Sequence, residues 1–324
     1  MTRLHPRHPT ILHALLAGAE KGHHAPTVTL AQDTRHQETL RHDTLLDAAA
    51  RCAAALAEHG IRPGDRVVLC LPTAGPFTTA FFAAQLLGAT PTAIAVPVRF
   101  GGAAGFEGQL KDLLGYLRPA ALITTPAVIT ALPHLADTRL IDADTLHTRA
   151  LDPGAPAHPL HLPDSDTLAL IQCTSGSTGT PKGVMISHAN LAANCEQFTT
   201  ALNWTPQDTT VSWAPLYHDM GLITGLMCPV YAGADTVLIP PTRFLRAPAE
   251  WLHHISTHRG TIAAAPNFAY GYLTTRVRDD ELDGIDLSSW RVALCGAEPV
   301  KPATVHPFVE RFTRWGLPPH AFTP

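Results

Sequence analysis

The chain has 324 residues, of which 45% are hydrophobic and 15% charged, and its net charge is −4. That is enough apolar material for two domains, or for one large α/β domain with a buried core. No basic excess is available for a nucleic-acid surface or an anionic-membrane patch, so any phosphate binding must be local.

At the start of the chain, basic residues precede an apolar stretch within Met1–Ala19, as in a secretory leader. His13 interrupts that stretch, and Ile11, Leu12, Leu15 and Leu16 keep helical spacing behind a Thr10 cap, so an amphipathic first helix is predicted. A second helix spans about Thr44 to His59 and stops at Gly60, before the turn Arg62-Pro63-Gly64-Asp65. From Val67 to Val98 no residue is charged, a length that raises the question of a membrane span. Pro72, Gly75, Pro76, Gly88, Pro91 and Pro97 divide it instead into a strand (Arg66–Leu71), a helix (Pro76–Leu87) and a strand (Thr92–Val96). This reads as a buried βαβ unit, and no membrane span is expected. A glycine-rich loop, Gly101–Gly108, precedes a helix near Gln109–Leu117 and a strand at Ala120–Thr124.

Pro153, Pro156, Pro159 and Pro163 mark residues 151–166 as a connection, and a lobe boundary is placed there, giving lobes of residues 1–164 and 165–324. Beyond it, strands are predicted at Leu168–Cys173, Val184–Ser187, Thr209–Trp213, Thr236–Ile239, Thr261–Ala264 and Arg291–Leu294. Helices are predicted at Asn190–Leu202, Pro248–His258 and Pro302–Trp315, the last two with proline in a tolerated first-turn position. Apolar strands alternating with helices define an α/β fold with largely parallel sheets flanked by helices. Six cysteines form no C-x-x-C pair, and nineteen histidines are scattered rather than spaced as metal ligands. Free thiols in a reducing cytoplasm fit this pattern better than disulfides or a zinc site, so a cytoplasmic location and no protein-bound metal are expected.

The most informative stretch is Thr174-Ser175-Gly176-Ser177-Thr178-Gly179-Thr180-Pro181-Lys182-Gly183. Three glycines let the backbone bring its N–H groups against a ligand, hydroxyls crowd the loop, and one ammonium closes it; a polyphosphate needs this set. It differs from G-x-x-x-x-G-K-[ST] because Lys182 is followed by Gly183 and an apolar run, so the loop joins two strands.

This loop, with Met185-Ile186-Ser187-His188-Ala189-Asn190-Leu191, resembles the AMP-binding signature of the adenylate-forming superfamily. Pro215-Leu216-Tyr217-His218-Asp219-Met220-Gly221-Leu222 resembles the second motif of its fatty acyl-AMP ligase branch, and Pro266-Asn267-Phe268-Ala269-Tyr270 and Leu287–Ala293 strengthen that likeness. Gly296-Ala297-Glu298-Pro299-Val300 resembles the turn whose backbone contacts adenine. The resemblance covers most of the chain. It implies the N-terminal domain of an adenylate-forming enzyme, built of stacked lobes. The implied reaction uses ATP and Mg2+ to convert a fatty or related carboxylic acid to acyl-AMP with release of pyrophosphate, followed by transfer to the thiol of an acyl carrier protein, or of a polyketide or peptide synthase.

By the same resemblance, Thr174, Ser175, Gly176, Ser177, Thr178, Gly179 and Lys182 hold the phosphates, and Gly296, Ala297, Glu298 and Pro299 pack on the base. His218 and Lys182 are the catalytic candidates, with His218 near the carboxylate and the α-phosphate. Trp213, His218, Met220, Asn267, Phe268 and Tyr270 are the acyl-pocket candidates, and Asp219 reads as a helix cap. Two alternatives stay open: a long-chain acyl-CoA ligase, and a non-catalytic nucleotide- or acyl-binding fragment. The family's ribose-binding aspartate, hinge and C-terminal adenylation lysine have no counterpart in the chain before Pro324, so these 324 residues alone are expected to be inactive in adenylation.

Overall fold

The computed structural model describes residues 5–96, 103–132, 135, 138–174 and 182–324, with only the backbone of 103–106. Its strands, in chain order, are β1 (Thr27–Ala31), β2 (Gln37–Arg41), β3 (Arg66–Cys70), β4 (Thr90–Ala93), β5 (Ala121–Thr124), β6 (Leu140–Asp142), β7 (Leu168–Thr174), β8 (Lys182–Ser187), β9 (Thr209–Ser212), β10 (Asp235–Leu238), β11 (Ile262–Pro266), β12 (Val292–Gly296) and β13 (Phe322–Thr323). Two compact units share them, residues 20–42 and 195–324 in one and 6–19 and 43–194 in the other.

In the unit of residues 6–19 and 43–194, a four-stranded parallel sheet runs in the order β4-β3-β5-β6. The uncharged stretch after Arg66 forms the predicted strand and helix, and nearly every residue of the helix Gly75–Leu86 is buried. A helix without a polar face belongs inside a core. Among the described residues, no helix is long and apolar enough to cross a membrane. The helix expected from Gln109 starts earlier, at Ala103, and takes in Gly105 and Gly108. Glycine weakens a helix interior by about 1 kcal/mol without forbidding it, so neighbouring turns decide. Gly101 and Gly102, the start of the expected glycine-rich loop, lie outside the described residues.

In the same unit, β7 and β8 do not extend the parallel sheet. They form an antiparallel pair of their own, with Thr174 opposite Lys182 and Cys173 opposite Gly183. Gln85 reaches from the buried helix to donate to the carbonyl of Ala169 in β7, 2.9 Å away.

The other unit is built on a seven-stranded sheet in the order β13-β12-β11-β9-β10-β1-β2. All its pairings are parallel except β1 with β2. Residues 20–42 come from far upstream because β1 pairs with β10, Val28 opposite Thr236, and Asp235 accepts from both the N–H and the hydroxyl of Thr27. The sequence places a lobe boundary at 151–166; in the structure that segment stays within one unit, and the late crossing between units falls at residues 194/195. A core of interlocking aromatic rings, including Trp251, Tyr270, Trp290, Phe308 and Phe312, fills the unit beside the sheet.

Candidate functional site

The seven-stranded sheet changes winding direction at β9: the chain goes from β9 to β10 on one side, then to β11 on the other side of β9. Diverging connections leave a crevice at the carboxyl ends of strands there, where open α/β sheets hold ligands. A cavity of about 310 Å³ lies at those ends. Trp213 and Ala214 follow β9, Pro241 and Leu245 follow β10, Pro266 and Phe268 come from the end of β11, and Ala297 follows β12; all line the cavity.

Trp213 is buried, with 4% of its surface exposed, and forms an apolar wall of this cavity. Its ring stacks on fully buried Phe244, with centroids 3.9 Å apart and planes 7° from parallel, and Trp251 braces Phe244 edge-on at 5.6 Å. Offset and edge-on ring pairs hold geometry as well as area, so this wall is stiff. Phe268, by contrast, is 47% exposed and approaches Trp213 edge-on at 6.1 Å.

His218 and Met220 line the cavity from the segment leading into the helical turns Met220–Met227, which have the wide, π-type winding often found at functional sites. The N–H of Met220 donates to Asp219 Oδ1 at 2.7 Å, so Asp219 caps this segment as expected. The same N–H lies 3.2 Å from His218 Nδ1, and Asp219 Oδ1 is 2.8 Å from that nitrogen. Accepting from Met220 requires a bare Nδ1, while meeting the carboxylate requires Nδ1–H, so the two contacts compete for the tautomer. Gly221 is obligatory here: a Cβ would lie 2.2 Å from the carbonyl oxygen of Pro215 and 2.5 Å from that of Ala214.

Pro266 and Gly296 are opposite one another in the β11–β12 register, which sets the loops that follow side by side. Ala297 adopts φ +66°, a left-handed conformation that a non-glycine residue visits rarely. Glu298 and Pro299 are exposed. The side chain of Asn267 is buried and turns away to pair with the next loop, accepting from the N–H of Lys301 at 3.0 Å and donating to Thr304 Oγ1 at 3.2 Å. Tyr270 is fully buried in the aromatic core, and its hydroxyl donates to the carbonyl of Leu294 at 2.7 Å. Tyr217, Pro241 and Leu245 line the cavity without having been singled out from sequence as lining residues. The position of Pro241 and Leu245 after a strand end was the available signal.

The predicted phosphate loop belongs to the β7–β8 hairpin of the other compact unit. Exposed Thr174 and Lys182 close the ladder opposite each other, as the reading of a strand-to-strand loop requires. Ser175, Gly176, Ser177, Thr178 and Gly179 lie outside the described residues. Gly183 has its own packing reason, since a Cβ would sit 2.9 Å from Ile171 Cγ2, and its N–H faces the Tyr116 hydroxyl at 3.4 Å. His188 opens the following helix and is buried, which pushes its pKa down to about 4, with nearby His13 adding to the effect. Among the described residues, no group of three or more metal-binding side chains occurs.

The sequence profile of the family described as AMP-binding enzyme matches residues 17–319. A long-chain-fatty-acid–AMP ligase, FadD26 of Mycobacterium marinum, is 36% identical over 299 residues, covering 89% of this chain and 50% of the relative. A putative fatty-acid–CoA ligase, fadD25 of Mycobacterium tuberculosis, is 32% identical over 306 residues with the same coverages. Among solved structures, the fatty acyl-adenylate ligase from L. pneumophila in complex with acyl adenylate and pyrophosphate superposes with a TM-score of 0.87 at 30% identity, over 98% of this chain and 54% of that one. The chain thus spans about half the length of the curated relatives it matches. With a profile match over nearly its whole length and the same fold as a solved member, the chain belongs to the AMP-binding enzyme family.

Proposed function

We propose that this chain provides the nucleotide- and acyl-binding part of a fatty acyl-AMP ligase. The observation that carries the reading is the cavity at the carboxyl ends of β9, β11 and β12. Among the described residues, its lining is almost wholly apolar, with His218 as its one imidazole and no carboxylate or ammonium. An aliphatic chain fits such a lining, whereas an α-amino acid would leave its ammonium without a counter-charge. The relatives support it: FadD26 is a long-chain-fatty-acid–AMP ligase, and the L. pneumophila structure holds acyl adenylate and pyrophosphate.

In the proposed reaction a carboxylate oxygen attacks the α-phosphorus of ATP, the bond to the bridging oxygen breaks, and pyrophosphate leaves with that electron pair. Two anions must meet, so phosphate charge has to be neutralised and the attack aligned. We assign the phosphates of Mg-ATP to the loop Thr174–Lys182, the base to Gly296–Pro299, and the approach of the carboxylate to His218. An acyl carrier protein thiol is the proposed acceptor, following the AMP ligase relatives.

The test is a competition experiment on the purified protein with a hydrolysis-resistant decanoyl-adenylate analogue. Decanoate is expected to displace it, and phenylalanine is not. Displacement by the amino acid at similar concentration would overturn the acyl assignment. Failure of the analogue to bind would remove the nucleotide assignment as well.

A further inference from the structure

Two walls of the cavity are tied together by one carboxylate. Glu298, in the turn after β12, accepts a hydrogen bond from the backbone N–H of Phe268 at 2.6 Å. That N–H lies in the first turn of the helix Asn267–Arg276, where no side chain of the helix's own flanking residue caps the free amides. An anion here completes an unsatisfied donor and meets the positive end of the helix dipole. Glu298 follows Ala297, which is held in the left-handed region, and both Ala297 and Phe268 line the cavity. Asn267 runs a second tie the other way, accepting from Lys301 in the same loop. The turn and the helix start therefore move as one piece, and the Phe268 ring that leans on Trp213 moves with them.

We propose that Glu298 is a positioning residue that locks the turn after β12 to the first turn of helix 267–276, so that a nucleotide on the turn and an acyl chain in the cavity strengthen each other's binding. The inference rests on the proposed function for the identity of the two ligands. It goes beyond that reading in giving the Glu298 side chain a coupling role distinct from backbone packing on the base. A ligand pressing on Ala297 shifts Glu298, and the hydrogen bond passes the shift to Phe268. Coupling of this kind is reciprocal, so each ligand raises the affinity of the other by one common factor.

The experiment is calorimetric titration of the whole 324-residue protein with AMP, with decanoate, and with each in the presence of the other. The wild type should show a coupling factor of at least about fivefold, the low end of ordinary coupling between sites. In Glu298→Ala the factor, which is a ratio of affinities with and without the second ligand, should fall close to one, whatever the change in affinity for each ligand alone. Glu298→Gln keeps an acceptor at the same reach and should retain most of the coupling. Glu298→Asp keeps the charge but falls short of Phe268 and should lose it, which also serves if the alanine variant does not fold. Coupling that survives in the alanine or aspartate variant overturns the inference, as does its loss in the glutamine variant. Binding of both ligands to the wild type without coupling overturns it while leaving the proposed function standing. Binding of neither overturns both.

Discussion

Arg291 grips Asp208 with two charge-assisted hydrogen bonds, Nε to Oδ1 at 2.9 Å and Nη2 to Oδ2 at 2.8 Å, at the end of the sheet opposite the cavity. Asp208 precedes β9, Arg291 precedes β12, and Thr261, which donates to Asp208 Oδ1 at 2.7 Å, precedes β11. Arg291 also donates to the carbonyls of Leu202 and Asn203. Three strands are thus held in register at their amino ends. Arg291→Ala strands a buried carboxylate and should destabilise this unit by about 2–4 kcal/mol, somewhat below the usual range for a broken buried pair because Arg291 is partly exposed. Chemical denaturation reads it directly; a loss under about 0.5 kcal/mol would show that the pair is ornamental.

Acid should unfold the protein in two stages. Burial pushes the imidazole of His254 down to about 4, with His258 and His253 adding to the effect, and burial does the same for His188. Both are neutral in the fold and bind protons more readily once unfolded. Their contribution is therefore fully present above about pH 6.5 and is lost as pH falls from there towards 4. Asp208 acts further down: burial raises its pKa, but the bonds from Arg291 and Thr261 outweigh this and hold it below the ordinary value. Its contribution is present above the unfolded carboxylate pKa and disappears as pH drops through the lower folded one. Melting temperature against pH for the wild type and for His188→Gln/His254→Gln should diverge between pH 6.5 and 4, and parallel curves would refute the assignment.

Gly221→Ala sets a methyl group on two backbone oxygens that cannot swing away. The segment carrying His218 and Met220 has to shift, at about 3 kcal/mol, the upper part of the usual range for overpacking. A thermal melt indistinguishable from wild type would show that the turn relaxes freely.

Lys182→Ala removes the ammonium that closes the hairpin loop. Charge-assisted contacts are worth about 1.5–3 kcal/mol, so Mg-ATP should bind roughly ten- to a hundredfold more weakly, with the fold intact. Adding Ser177→Ala should deepen the loss. Unchanged ATP affinity in the double variant would separate this loop from the phosphates.

Sequence by itself determined the elements and the motif. Strand periods placed β3, β4, β5, β9, β10, β11 and β12 of the two larger sheets, because burial on both faces leaves a pattern in the chain itself, and missed β1, β2, β6 and β13. The strand-loop-strand setting of Thr174–Lys182 was legible for a local reason, as Lys182-Gly183 runs into an apolar stretch that cannot open a helix at that point. Tertiary structure decided what depends on residues distant in the chain. Nothing in Thr27–Arg41 announces that it will complete a sheet begun at Thr209, since the pairing of Val28 with Thr236 is chosen by the edge that β10 presents. Phe268 and Tyr270 read alike in sequence, two aromatics on one short helix. Their separation by two positions turns them to different sides, so Tyr270 reaches the core while Phe268 faces the cavity. The bond from Phe268 to Glu298 spans thirty residues and exists because β11 and β12 end together, a consequence of register that no local pattern encodes.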